Sequence, residues 1–438
     1  MEPAILFYNL LISPLTLLST PLRFLFKKEI SRSSTLSYWP SRLGVYPEHF
    51  VGKLRTSKHP VIWIQAVSVG EVGVARLLIK ELEKLLPQST IILTVTTPHG
   101  LSVASSQVPD SAIILPFPLD LPTVVSEALS VIRPDIYISI ETEIWPNLIS
   151  YLHRLKIPVI LLNGRISSKS FGSYRATRWL WKPVLKKFTH VSVITSKHAD
   201  RIIYLGADPS RVSVSGNIKL AQITDNVDEK KPERWRKVLK LSDKTPVVVF
   251  GSLRGAENAW IPGIFTRLKE KNPEVIGIFA PRHLKRIPEL EKSLQQNGIK
   301  FQSLSSILDS GEERTTPAIV VDVIGELASL YSIATVTFCG GSLVAVGGHN
   351  ILEPVSWGKP VFYGRHMDNF SDIKDTVEDL GFGYEVKDRT ELCEKLGHAL
   401  SDTSSETFQK TESGSKNFDF YAPLKNQVEI VLDILTRK

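Results

Sequence analysis

Acids, cations and paired glycines recur in this chain where apolar runs end. Ser68-Val69-Gly70-Glu71 closes the run 61–67. Gly70 allows a tight turn there, and Glu71 falls in the first turn of the helical pattern that follows, where the helix dipole favours a carboxylate. Such a group can take a proton from an attacking hydroxyl; equally, an acid in that position can serve only to cap its helix. Glu141-Thr142-Glu143 ends another apolar run, and Trp145-Pro146 starts the helix after it. Paired carboxylates in that setting are acid/base or binding groups, or two capping acids. Glu141 continues the strand alternation and is the one expected to be held rigidly. Asn163-Gly164-Arg165-Ile166-Ser167 and Ser215-Gly216-Asn217-Ile218-Lys219 are glycine-bearing strand ends or turns with a cation beside them, which suits an anionic group.

In the second half, Pro281-Arg282-His283 ends a strand and presents Arg282, whose planar fork suits phosphate or carboxylate. The densest stretch is FCGGSLVAVGGHNILEP, 338–354. One Gly-Gly ends a strand. The other, Gly347-Gly348, is expected to open a helix whose first turn carries Asn350 and Glu353. Backbone N–H groups at such a start bind phosphate, and an acid one turn in can take a ribose hydroxyl pair.

Strands followed by helices must position all of these groups. VIWIQAV (61–67) is a continuous apolar run, as expected of a strand buried on both faces; strands are also expected at 90–97, 111–117, 135–141, 158–164 and 190–195, and helical stretches such as the amphipathic 72–86 lie between several of them. That alternation predicts a doubly wound parallel sheet, with ligands at the carboxyl ends of its strands. The segment 223–245 is polar and charged and reads as a linker. A second alternation then begins, with strands expected at 246–252, 274–282, 318–323, 334–341 and 360–364. A helical pattern near 424–437 closes the chain.

The 438 residues suggest two domains. Hydrophobic residues make up 42% and charged ones 22%, a globular composition. The formal charge of +8 is concentrated in 151–220, where thirteen Lys and Arg face two acids, Asp200 and Asp208. Such a segment attracts anionic partners. Cys339 and Cys393 are too few for a disulfide framework. There is no CxxC or HExxH, so neither a structural nor a protease-type zinc site is expected. Residues 4–26 are mostly apolar with Arg23 the only charge, long enough for a membrane helix, and Pro14 and Pro21 should kink it, which leaves both a spanning and a monotopic, half-inserted helix open. The cations follow the apolar run, which predicts an uncleaved anchor with the rest of the chain in the cytoplasm.

Together these stretches resemble the Kdo transferases. The resemblance runs from about residue 36 to the C-terminus and rests on WIQAVSVGE (63–71), TVTTPHG (94–100), ETEIWPNL (141–148), NGRIS (163–167), SGNIK (215–219), PRH (281–283), GEL (325–327) and GGSLVxxGGHNILEP (340–354). It implies a GT-B architecture, two Rossmann-like domains facing a cleft, and transfer of 3-deoxy-octulosonate (Kdo) from CMP-Kdo to a lipid A precursor. It implies Glu71 as general base, and Glu141 and Lys219 as groups that stabilise the transition state. It implies CMP contacts at Pro281 and Arg282, at Ile324, Gly325 and Glu326, and at Asn350, Ile351, Leu352 and Glu353. No Asp-x-Asp occurs, and CMP is a good leaving group, so neither a metal nor another cofactor is expected. The chain departs from the family at Gln65, often His there, at Ser252-Leu253-Arg254-Gly255, where many members have Ser-Thr-His, and at His99 and Ala345-Val346.

On this reading the chain divides into a membrane anchor (1–28), an acceptor domain (29–222), the linker (223–245) and a CMP-Kdo-binding domain (246–420). A terminal helix (421–438) follows, able to pack back on the first domain. Its partners are CMP-Kdo, the lipid A precursor and the anionic inner membrane at its cytoplasmic face. Arg165, Lys169, Arg175 and Arg178 are the candidates for the phosphates of the acceptor. Another GT-B enzyme, such as a nucleotide-sugar epimerase, is the rival reading. A nucleic-acid partner is not expected, since no aromatic-basic repeat or known binding motif is present.

Overall fold

The computed structural model describes residues 2–30, 37–221, 230–309, 311, 313–401 and 419–437. They form two compact units, Met1–Gln222 with Tyr421–Lys438, and Ile223–Phe420.

The first unit is built on seven parallel strands: β1 (Val61–Ala66), β2 (Thr90–Val95), β3 (Ile113–Pro116), β4 (Ile136–Ile140), β5 (Val159–Gly164), β6 (His190–Val193) and β7 (Val212–Val214), in the order β3-β2-β1-β4-β5-β6-β7. Every residue of β1, β4 and β5 is buried, because helices cover both faces of the sheet. The pleat sends alternate side chains to two cores. Trp63 and Tyr137 enter one, and Ile62, Ile64, Ile136 and Ile138 the other. The order reverses between β1 and β4, so loops diverge there and open a crevice at the carboxyl ends of the strands. Gln65 on β1 is fully buried, bonded through Nε2 to Thr96 Oγ1 (3.0 Å) and through Oε1 to Thr94 Oγ1 (2.7 Å). The departure from the family at this position is thus a matter of packing.

The C-terminal helix Ala422–Thr436 belongs to this unit. Leu424, Val428 and Val431 join the core that also holds the helix Val69–Leu85. Between them Gln427 is fully buried. Its Oε1 accepts from Asn163 N (2.7 Å) and its Nε2 donates to Gly216 O (3.0 Å). Gly216 has φ 82, and a Cβ there would meet Pro423 Cγ at 2.9 Å. Asn163 Oδ1 in turn accepts from Ile218 N (2.9 Å). The two glycine-bearing turns are therefore joined to each other and to the end of the chain. Gln427→Leu leaves two buried backbone groups without partners, each worth about 1–3 kcal/mol. The urea midpoint of the first unit should fall accordingly; an unchanged midpoint would contradict the role given to Gln427.

The second unit repeats the plan with β8 (Val247–Leu253), β9 (Ile276–Pro281), β10 (Phe301–Ser303), β11 (Ala318–Val320), β12 (Val336–Cys339), β13 (Val361–Gly364) and β14 (Gly383–Val386), ordered β10-β11-β9-β8-β12-β13-β14, all parallel. Its reversal lies between β8 and β12. Of the expected linker, 223–229 lie outside the described residues. Lys231–Val238 is a helix of the second unit, with Trp235 fully buried and its Nε1 bonded to Ser329 Oγ (2.9 Å). This unit thus begins well before residue 246. One buried Trp among charged neighbours does not stand out as a helix with an apolar face.

Candidate active site

The reversal in the first sheet carries the acids. Glu71 follows β1, in the first turn of Val69–Leu85, and is buried. Its Oε2 accepts from Val67 N (2.7 Å) and its Oε1 from Ser68 Oγ (3.0 Å). The carboxyl thus closes its own turn, much as a capping acid does. Burial pushes Glu71 up to about 7, the negative charge of Glu141 adds to the rise, and the two hydrogen bonds and Arg165 oppose it. A base with that value is half ionised near neutral pH, where general-base catalysis is most effective.

Glu141 follows β4. The strand ends at Ile140, and Glu141 has φ 60, so it does not continue the alternation expected for it. A non-glycine residue in the left-handed region is strained, and such strain collects at functional sites. Glu141 is rigid for a different reason: Arg165 Nε bonds its Oε2 (2.7 Å) and Lys219 Nζ lies 3.2 Å from its Oε1, with the carboxylate buried and Lys219 largely covered. Lys219 Nζ also approaches Gly70; a Cβ on that glycine would stand 3.9 Å from it. The turns at 163–167 and 215–219, expected to hold an external anion, direct their cations at this internal one.

Glu143 completes the cluster. Burial first, then the charges of Glu71 and Glu141, push it up to about 8, against a bond from Trp145. Two carboxyls with raised values next to one locked in ion pairs share a small number of protons, so they titrate as a set. The sequence reading ranked Glu143 below Glu141. Its role as the protonated neighbour depends on burial, which spacing does not reveal.

Of the four cations assigned to the acceptor, the three with described side chains have different surroundings. Arg165 is committed to Glu141. Arg178 donates through Nε to Tyr204 O and lies over the Tyr204 ring at 5.1 Å. Arg175 is exposed. Lys169 lies in the helix Ser168–Ala176, and its side chain falls outside the described residues.

In the second unit the reversal carries cations. Arg254 follows β8 and Arg282 follows β9, both at the carboxyl edge, and Arg254 Nη2 lies 3.3 Å from His283 Nε2. His349 stands in their field. Burial and then Arg282, Arg254 and His283 push it down to about 4, so it is neutral at physiological pH. Glu353 sits in the first turn of the short helix Leu352–Ser356. Burial raises its carboxyl, while a bond from Asn350 and the charge of Arg282 oppose the rise. Pro281, Ile351 and Leu352 have their side chains buried in the unit. Ile324 is 86% exposed, followed by Gly325 at φ 97 and by Glu326, whose carboxylate accepts from Ser329 Oγ (3.1 Å). An exposed isoleucine in the loop after β11, the strand next to β9, offers one apolar face for a flat ring.

One expectation for the glycine-rich stretch is corrected. Gly347-Gly348 does not open a helix. Both glycines have positive φ, 89 and 72, and the helix starts only at Leu352, after Asn350 Oδ1 accepts from Leu352 N (3.1 Å). Side chains at 347 and 348 would collide with Asn369 Nδ2 and Met367 Sδ, both at 2.3 Å, so the pair exists for close packing. The N–H groups after the first pair are also taken. Glu257, fully buried in the first turn of Glu257–Lys271, accepts from Gly341 N (2.6 Å), Leu343 N (3.0 Å) and Ser342 N (3.2 Å), and from Arg254 N (2.9 Å). An internal carboxylate thus fills the turn after the first glycine pair, and the cations at this edge for an external anion are Arg254 and Arg282. Glu257 and Arg254 were missed as site residues, although the order strand, turn, glutamate repeats that of Glu71.

Two parallel α/β units with polar clusters at their switch points define the GT-B class. The chain is similar over 86% of its length to all of the UDP-GlcNAc 2-epimerase of Neisseria meningitidis, with a TM-score of 0.55 at 16% identity, a likeness of fold. Residues 37–222 match the family model described as 3-deoxy-D-manno-octulosonic-acid transferase (kdotransferase). The 3-deoxy-D-manno-octulosonic acid transferase of Rickettsia bellii is 30% identical over 374 residues, covering 84% of this chain and 86% of that one. A bifunctional glycosyltransferase/methyltransferase of Fusobacterium nucleatum is 32% identical over 340 residues, 76% of this chain, which spans about half, 52%, of that longer protein. The chain belongs to the Kdo transferase family and is a glycosyltransferase.

Proposed function

We propose that this enzyme moves Kdo from CMP-Kdo to a hydroxyl of a lipid A precursor, with inversion, at the cytoplasmic face of the bacterial inner membrane, and that it can add more than one Kdo in succession. The observation that carries the reading is Glu71, a buried carboxyl of raised pKa beside the Glu141–Arg165–Lys219 set, in a chain of this family. Glu71 takes the proton of the acceptor hydroxyl as its oxygen bonds the anomeric carbon of Kdo. The bond from that carbon to the phosphate oxygen breaks, and CMP leaves as a monoester. Lys219, held by Glu141 and directed toward Gly70, is the ammonium at the acid cluster. Arg254 and Arg282 take the charge of the leaving phosphate, with Glu353 placed for the ribose hydroxyls and Ile324 for the base. Fixed donors aimed at developing charge supply most of such a rate enhancement.

With two guanidinium groups for one phosphate, no metal is required. CMP release from CMP-Kdo should therefore depend on added lipid acceptor and persist in EDTA. Release without acceptor, or loss in EDTA restored by Mg²⁺, would contradict this mechanism. Arg282→Ala removes a charge-assisted bond worth about 1.5–3 kcal/mol, so the KM for CMP-Kdo should rise roughly ten- to a hundredfold while the KM for the lipid changes little. Equal rises in both would remove Arg282 from the donor site.

A further inference from the structure

The first helix, Pro3–Ile30, has its polarity turned inside out. Tyr8, Asn9, Thr16, Ser19 and Arg23 are turned toward the first unit, wholly or partly covered. The outward side is apolar: Leu10 is 69% exposed, Leu17 75% and Phe24 75%, with Phe7, Leu11 and Leu18 beside them. A soluble amphipathic helix does the reverse. We propose that this helix does not cross the bilayer but lies in the plane of its surface, its polar side on the first unit and its apolar side in the leaflet of an anionic phospholipid membrane. This mode of attachment stands whether or not a lipid A precursor is the acceptor.

Polar ties run along most of the helix. Lys187 Nζ bonds Glu2 Oε2 (2.8 Å) just before it. Tyr8 bonds the buried Asp120, which also accepts from Asn147 N (3.0 Å) and Leu148 N (2.8 Å). Asn147 Nδ2 bonds Asn9 Oδ1 (2.8 Å), and Arg23 Nη2 lies 3.2 Å from Glu127 Oε2. At 1.5 Å per residue, the stretch from Glu2 to Arg23 is about 30 Å, the thickness of the hydrocarbon core. A spanning helix would either drag that charged flank into hydrocarbon or leave Asn9 and the other polar groups unpaired there, and both are costly. An in-plane helix keeps every tie. Pro14 leaves the Leu10 carbonyl without its helical donor, and Ser13 Oγ bonds it (2.8 Å), as a helix sunk in lipid requires.

The surroundings match an anionic leaflet. Trp179, on the helix Arg178–Leu185, meets Phe7 edge-on at 5.2 Å and is 51% exposed, which extends the apolar face with a residue suited to the headgroup level. Lys182 and Lys186, one and two turns on from Trp179, are exposed and available for lipid phosphates. A cavity of about 560 Å³ beside the helix is lined by Ile5, Asn9, Pro122, Tyr151, Arg154 and Lys187, a wall both apolar and cationic.

The test uses the full chain added to preformed vesicles of phosphatidylethanolamine and phosphatidylglycerol. Cys339 and Cys393 are replaced by Ser, and a single thiol is placed by Pro3→Cys or, as the reference on the first unit, by Ser105→Cys. A membrane-impermeant maleimide should label both positions on intact vesicles. Labelling of position 3 only after permeabilisation means a spanning helix and overturns the proposal. The pair Leu10→Glu and Leu17→Glu lies on the exposed side and should leave melting and CMP binding unchanged while reducing vesicle flotation at least tenfold. Unchanged flotation overturns it. So does a wild-type dimer in sedimentation that this pair makes monomeric, since the face would then belong to a second copy. Flotation should also weaken on vesicles of phosphatidylcholine alone; equal binding would remove the anionic leaflet as the partner.

Discussion

Glu71→Gln should lower kcat by a hundredfold or more, the usual contribution of a positioned base, with little change in the KM for CMP-Kdo. The wild-type rate should fall on the acid side with a midpoint near pH 7, because the base must be ionised and its value is about 7. An acid limb near 4.5, or none, would show that another group takes the proton. The same substitution should move stability in the opposite direction. The folded-state value of Glu71 lies above the unfolded one, so the fold retains a proton that the unfolded chain has lost between pH 4.5 and 7. Its contribution to stability is full at acid pH and is lost as pH rises through that window. Ionising it in the fold then costs about 3 kcal/mol, which Gln does not incur. The mutant should melt several degrees higher than the wild type at pH 8, and the gap should close toward pH 5. A mutant less stable at pH 8 would mean that capping outweighs ionisation at this turn.

Lys219→Met should cost both stability and turnover, and a double mutant separates the two. Removing one partner of a buried ion pair costs about 3–5 kcal/mol; here Arg165 still holds Glu141, so about 2–3 kcal/mol is expected. Glu141→Gln combined with Lys219→Met removes the uncompensated charge and should recover most of that stability. Turnover should stay at least a hundredfold down in the double mutant, because the ammonium that reaches Gly70, beside Glu71, is gone. If turnover returned with stability, Lys219 would be a structural partner of Glu141 and nothing more.

The central strands were legible because both of their faces are buried, and such strands read as unbroken apolar runs. Three edge strands were not. β7 (Val-Ser-Val), β10 (Phe-Gln-Ser) and β14 (Gly-Tyr-Glu-Val) lie at the ends of the two sheets and are largely part-exposed, so no apolar run marks them. The positions of Glu71, Glu141 and Lys219 at strand ends and turns could be read from the run lengths. Their mutual arrangement could not, since Gln427, which ties the turns at 163 and 216 together, comes from the far end of the chain. Glu257 was not legible for a similar reason. Only the fold shows that a carboxylate from 84 residues upstream occupies the turn after the first glycine pair. The first helix was read from its length and hydropathy, which do not distinguish a spanning helix from one with a polar side laid on its own domain.

The mass spectrum of the lipid recovered after incubation with CMP-Kdo and a lipid A precursor tests the central claim most directly. The wild type should convert the precursor into species heavier by one or more whole Kdo residues, in step with CMP release, and Glu71→Gln should leave it at its starting mass. A precursor of unchanged mass in the presence of the active wild-type protein, or Kdo-bearing product formed as fast by Glu71→Gln, would contradict the account.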